Sequence, residues 1–179
     1  MARVNKKRLT ADIQGDFVVF LIGMRINKLW KVHKWLPVVM AMPRMLRELS
    51  QKPDMGLLGY RNVLAGPRSP MVIQYWRSWE QLERYARNRD AKHFPAWVKF
   101  NKAVGSNGDV GLWHETYRVA AGQYETFYNS VAPLGLGKAA GLVPAAGYRS
   151  SAAGRLGLAD GTDAPVDPSG EVRGPAESR

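Results

Sequence analysis

Phe17-Val18-Val19-Phe20-Leu21-Ile22-Gly23-Met24 is apolar on both of its alternating sides. A strand covered on one face only alternates apolar with polar residues, so an unbroken apolar run of this length predicts a strand in the middle of a sheet, covered on both faces. Arg25 closes the run and no small-residue cleavage site follows, which separates it, together with the basic residues 1–10 before it, from a secretory signal.

Outward from that strand the chain alternates in period. Residues 28–51 place Trp30, Leu36, Val39, Met40, Leu46 and Leu49 at helical spacing, with Pro37 and Pro43 predicted to kink or break the helix. Residues 57–64 and 70–76 read as strands joined by Ala65-Gly66-Pro67-Arg68-Ser69, a link of hairpin length. Ser78 stands where its hydroxyl can cap a helix running to about 89, with Gln81 at the reciprocal capping-box position. A second short helix is expected over 94–104, ended by Gly105-Ser106-Asn107-Gly108. Residues 109–120 form a strand with Trp113, Glu115 and Tyr117 on one face and Leu112, His114 and Thr116 on the other, and 124–129 is a candidate edge strand. Strand, helix, strand, strand, helix, strand is the split βαβ order of ferredoxin-like α+β domains. The domain is expected over 16–137, after a basic extension of residues 1–15. The segment 138–179, rich in Gly, Ala, Pro and Ser, is predicted to be disordered, so that removing 154–179 would leave the fold intact.

Composition narrows the function. In 179 residues, 45% apolar and with six tryptophans, the chain can bury one proper core. Its net charge of +11 lies wholly before Pro133, because the tail is balanced. Those cations are dispersed over many segments, which disfavours nucleic acid and leaves anionic small molecules or membrane surfaces ahead of it. Without cysteine there can be neither disulfides nor thiolate chemistry, which is compatible with the cytoplasm, the expected location. The apolar stretch 35–42 is interrupted by Pro37 and flanked by Lys34 and Arg44, too short for a transmembrane segment. Gly105, Gly108 and Gly111 precede a strand instead of joining one to a helix, so a nucleotide-binding turn is excluded. No His-x-x-x-His or His-x-x-Glu spacing points to a dedicated metal site.

The candidate chemistry is spread over three places. His93 opens the expected second helix, where a neutral imidazole can take a proton or ligate iron. His114 and Glu115 are strand neighbours whose side chains point to opposite faces, so only one of them can enter a given pocket. Arg25, at the end of the apolar strand, is a candidate to stabilise an enolate or a haem propionate. His33 lies among lysines and is read as a surface residue. Met24, Met40, Met42 and Met45 are read as a deformable helix–sheet lining.

Tyr75-Trp76-Arg77-Ser78-Trp79-Glu80-Gln81-Leu82 with His93-Phe94 resembles the strand-to-helix segment of the antibiotic-biosynthesis-monooxygenase group of dimeric α/β barrels. More closely, Phe20-Leu21-Ile22-Gly23-Met24-Arg25-Ile26-Asn27, Ala41-Met42-Pro43-Arg44-Met45 and Gly111-Leu112-Trp113-His114-Glu115-Thr116-Tyr117 resemble the monooxygenase af470-like family, DUF4188, over about 16–137. The resemblance implies a ferredoxin-like protomer that pairs sheet to sheet with a second copy into a barrel. It also implies oxidation of a hydrophobic or aromatic small molecule without a nucleotide cofactor, as in superfamily members that oxidise aromatic polyketide-like substrates with no cofactor at all. On that reading His93 or His114 removes a proton, Arg25 and Glu115 assist, and Trp76, Trp97, Trp113 and Tyr117 hold the substrate by stacking. Two alternatives stay open: a haem-dependent dehydratase or peroxidase with His93 or His114 as axial ligand, and a ligand-binding module with no turnover.

Overall fold

The computed structural model describes residues 4–88, 98 and 108–158. Contacts divide the chain into two compact units, residues 16–119 and residues 1–15 with 120–179. In chain order the elements are β1 (Leu9–Ala11), β2 (Phe17–Ile26), α1 (Val32–Ser50), a 3-10 turn (Pro53–Met55), β3 (Leu57–Leu64), β4 (Pro70–Trp76), α2 (Trp79–Arg87), β5 (Val110–Val119), α3 (Gly135–Ala140), β6 (Leu142–Pro144), a second 3-10 turn (Gly147–Ser150) and α4 (Ala152–Arg155).

In the unit 16–119 the apolar run forms β2, and it is central as expected. The antiparallel sheet has the order β3-β4-β2-β5, with Val18 opposite both Trp76 and Arg118 and Gly23 opposite both Met71 and Trp113. The first strand of the unit thus lies between its third and its fourth, the ferredoxin-like arrangement. Ser78 caps α2 by accepting a hydrogen bond from the Gln81 amide at 3.3 Å. Gln81 does not close a capping box: its side-chain amide donates to the Asp54 carbonyl at 3.3 Å, tying α2 to the 3-10 turn. The expected helix 94–104 lies outside the described residues, apart from Val98, which is helical.

Helix α1 runs unbroken through Pro37 and Pro43 over 19 residues. Each proline removes one amide donor. The helix persists because its C-terminal part is held by burial, with Leu46, Glu48 and Leu49 inside. One core cluster joins Val18, Leu49, Trp76, Leu82 and Tyr85, and a second joins Met24, Ile26 and Val110, with Trp35, Val38 and Val39 against it. All the strand residues named there share one side of the sheet, which is therefore the helix side.

The expected disorder from 138 onward is corrected for the described part, 138–158. There α3, β6 and α4 form, and β6 pairs antiparallel with β1 through Leu9 opposite Pro144 and Ala11 opposite Leu142. The physical reason is that the N-terminal extension supplies a buried strand edge to build on: Leu9, Thr10, Ala11 and Ile13 are all buried. Residues 124–129 do not make a strand; a single bridge joins Leu9 to Tyr128, whose hydroxyl accepts the Gly137 amide hydrogen bond at 2.9 Å. Arg155 donates to the Glu125 carboxylate at 2.6 Å and to the Arg149 carbonyl at 2.9 Å, so a cut at 154 would remove a structural contact. Residues 120–137 accordingly cluster with this second unit, and the ferredoxin-like unit ends at Val119.

Candidate functional site

Cross-strand partners share a face, so the register sorts every candidate residue on the sheet. Gln74 opposite Phe20, Val72 opposite Ile22 and Trp76 opposite Val18 point to the helix side, as do Thr116 opposite Phe20 and His114 opposite Ile22. Leu21, Gly23 and Arg25 point the other way, and with them Ile73, Met71, Glu115, Trp113 and, opposite Val19, Tyr117.

On the helix side Trp76 is completely buried. Its indole N–H donates to the Gln74 side-chain oxygen at 2.8 Å, and its ring lies 5.8 Å from that of Tyr85. Expected as a substrate platform, Trp76 instead fills the core and presents no surface to a ligand. Burial, and next to it the charge of Glu48, push the Tyr85 phenol upward, so it stays protonated. Gln74 was not anticipated. Its signal in the sequence is a lone amide at a helix-side position between Val72 and Trp76, where a buried polar side chain demands a partner.

Toward β5 the same side opens. His114 and Leu112 are exposed there, and the His114 ring stands 5.6 Å from that of half-buried Phe20. An exposed imidazole beside an aromatic and an aliphatic side chain is a place where an apolar molecule could be bound and deprotonated. His33, as expected, is exposed on α1. His93 and Trp97 lie outside the described residues.

The opposite side carries the other candidates. The Trp113 indole lies across Gly23, where an added Cβ would come within 2.7 Å of the ring, so glycine in mid-strand makes room for it. The Tyr117 hydroxyl donates to Glu115 at 2.6 Å, and that hydrogen bond raises the phenol's pKa. Arg25 donates to the Ser69 hydroxyl at 3.0 Å at the end of the sheet. Within one protomer, therefore, Arg25, Trp113, Glu115 and Tyr117 do not share a pocket with His114, and the parting of His114 from Glu115 that alternation along the strand predicts extends to Arg25.

Asp109, just ahead of β5, was also missed. Its buried carboxylate is bridged by Lys28 at 2.8 Å and Lys31 at 2.7 Å, and these hydrogen bonds hold its pKa down to about 2. Its carbonyl accepts the Asn27 and Lys28 amides, so it fixes the loop that leads into α1. In the second unit a cleft of about 190 Å³ lies among Thr10, Asp12, Tyr124, Tyr148 and Arg149. Arg149 there is paired with Asp12 at 3.5 Å. No group of three or more His, Cys, Asp or Glu side chains that could hold a metal ion occurs among the described residues.

The family model described as monooxygenase af470-like matches residues 17–136, spanning the whole sheet and both of its faces. The chain belongs to the monooxygenase af470-like family. Monooxygenase af470 of Aspergillus fumigatus is 26% identical over 166 residues, which cover 77% of this chain and 56% of that protein. The chain thus spans about half the length of the curated relative it matches. Among solved structures, SnoaB, a cofactor-independent oxygenase from Streptomyces nogalater, aligns with a TM-score of 0.41 at 12% identity, covering 57% of this chain and 91% of that one. A dimeric ferredoxin-like protein from Jannaschia sp. CCS1 aligns with a TM-score of 0.38 at 15% identity, covering 55% and 97%.

Proposed function

We propose that this member of the monooxygenase af470-like family is a cytoplasmic, homodimeric monooxygenase. It oxidises a hydrophobic or aromatic small molecule without a nucleotide cofactor, and His114 is its base. The observation that carries the reading is the opening on the helix side, where the exposed His114 imidazole stands beside Phe20 and Leu112. Imidazole takes a proton near neutral pH, and the apolar Phe20 and Leu112 side chains give a hydrophobic substrate a surface to lie against. A substrate methylene activated by a neighbouring phenol or ketone gives its proton to His114, and the carbanion passes electrons to O₂ to form a hydroperoxide. Loss of water leaves one oxygen atom as a new carbonyl and the other as water, so no external reductant is consumed. Arg25, on the other side of the sheet, takes no part in this step within the protomer. His93 remains the second candidate base.

The test is oxygen uptake by the purified protein with a panel of anthrones and polycyclic phenols, preceded by an absorption spectrum. His114→Ala should lower kcat by about 10²–10⁴-fold, the usual range for a general base, with little change in KM. A rate within a few-fold of the parent in both His114→Ala and His93→Ala would overturn the assignment of a histidine base. A Soret band in the parent would replace the cofactor-free reaction by the haem-dependent one.

A further inference from the structure

The loop before α1 and the N-terminal half of that helix hold an apolar stripe that the oxygenase reading does not use. Val32, Leu36 and Met40 recur every four residues, so they share one face of α1, and they are exposed by 44%, 42% and 52%. Trp30, just ahead of the helix, is 74% exposed. At about 1.5 Å per residue the helical part of the stripe runs about 12 Å.

Trp30 is held in place from both sides. The Trp35 indole N–H donates to the Leu29 carbonyl at 2.9 Å, and the Asp109 carbonyl accepts the Lys28 amide at 3.2 Å. The loop is therefore fastened to α1 and to β5 while its largest ring points into solvent, against the usual tendency of tryptophan to be highly buried.

The charge around the stripe is net positive. From Asn27 to Arg47 the sequence contains no Asp or Glu, while it contains Lys28, Lys31, Lys34, Arg44 and Arg47. Asp109 pairs with Lys28 and Lys31, and two ammonium groups against one carboxylate still leave a positive charge beside Trp30. A second protein of ordinary charge would meet the apolar stripe with no demand for this bias. An anionic phospholipid surface satisfies both features at once: acyl chains take the apolar side chains, headgroup phosphates take the lysines, and tryptophan prefers that boundary.

We infer that Trp30 and the Val32–Leu36–Met40 face of α1 form a peripheral membrane-docking surface for anionic phospholipid. The helix lies in the plane of the interface and does not cross it; no helix among the described residues is long and apolar enough to do so.

The full chain is tested by flotation with vesicles of mixed phosphatidylglycerol and phosphatidylcholine, and with vesicles of phosphatidylcholine alone. The expected result is binding to the mixed vesicles that weakens as salt is raised and is much poorer on phosphatidylcholine. A Trp30→Ser, Leu36→Ser, Met40→Ser variant should lose partitioning by about tenfold or more, since each change removes an anchor from acyl chains. It should keep the parent's far-ultraviolet circular dichroism, because the replaced side chains are exposed. Two outcomes would overturn the proposal. One is no binding of the parent to mixed vesicles; a change of oligomeric state in the triple variant would then assign the stripe to a second copy of the chain. The other is unchanged binding of the triple variant, which would assign the attraction to the dispersed basic surface.

Discussion

Replacing Trp76 by Phe separates a core tryptophan from a substrate platform. The change removes the indole N–H that reaches the Gln74 oxygen at 2.8 Å, inside a cluster where Trp76 is fully buried and Gln74 nearly so. Orphaning that buried amide oxygen costs about 1–3 kcal/mol. The smaller ring gives up packing against Leu49, Leu82 and Tyr85 worth about 1–2 kcal/mol more. The expected destabilisation is thus about 3 kcal/mol. Gln74→Leu alone leaves the indole donor unpaired and should cost a comparable amount through the same hydrogen bond. The double variant Gln74→Leu, Trp76→Phe leaves neither partner stranded, so it should be more stable than the sum of the two by about 1–2 kcal/mol. All six tryptophans fall within residues 16–119, so fluorescence-detected urea unfolding reports on the ferredoxin-like unit alone. Below the unfolding transition, Trp76→Phe should leave KM for any oxidised substrate unchanged. Additive costs in the cycle, or a raised KM with unaltered stability, would refute the placement of this residue in the core.

Two further outcomes follow from the charges and the open sheet face. The Asp109 carboxylate is held near a pKa of about 2 against an ordinary 3.8. A depressed acid adds stability above its unfolded pKa and loses it as pH falls through the folded one, so the parent's advantage over Asp109→Asn should be full above about pH 4.5, mostly lost at about pH 2 and gone by about pH 1; parallel curves of Tm against pH for the two proteins would contradict this. Leu21→Lys sets a lysine beside Glu115 on the sheet side away from the helices, where the free protomer can solvate it but a sheet-to-sheet dimer would have to bury it. Light scattering should show a dimeric parent and a monomeric variant at micromolar concentration, and a monomeric parent would remove the barrel assembly from the proposal.

Much of the sheet was legible because period and turn chemistry are local properties. The both-sided apolar run, the Gly-Pro hairpin link and the Ser78 cap each declare an element within a few residues, and β2, β3, β4 and the start of α2 lie where those signals put them. Alternation also showed that His114 and Glu115 must part company. It could not say which of the two faces the helices would cover, since that depends on where α1 and α2 settle after leaving the sheet. The sequence was silent, too, on the N-terminal extension: β1 is three residues long and carries little strand signal of its own, and it becomes ordered because β6 arrives more than 120 residues later to pair with it. The division of the candidate residues has the same origin. Which types of side chain sit on each strand is written in the chain, but that Trp76 would be closed off while His114 stayed open was decided by helix packing. The long-range contacts of Leu49, Leu82 and Tyr85 fill the space over one end of β4, whereas among the described residues the helix-side positions Leu112 and His114 on β5 stay exposed.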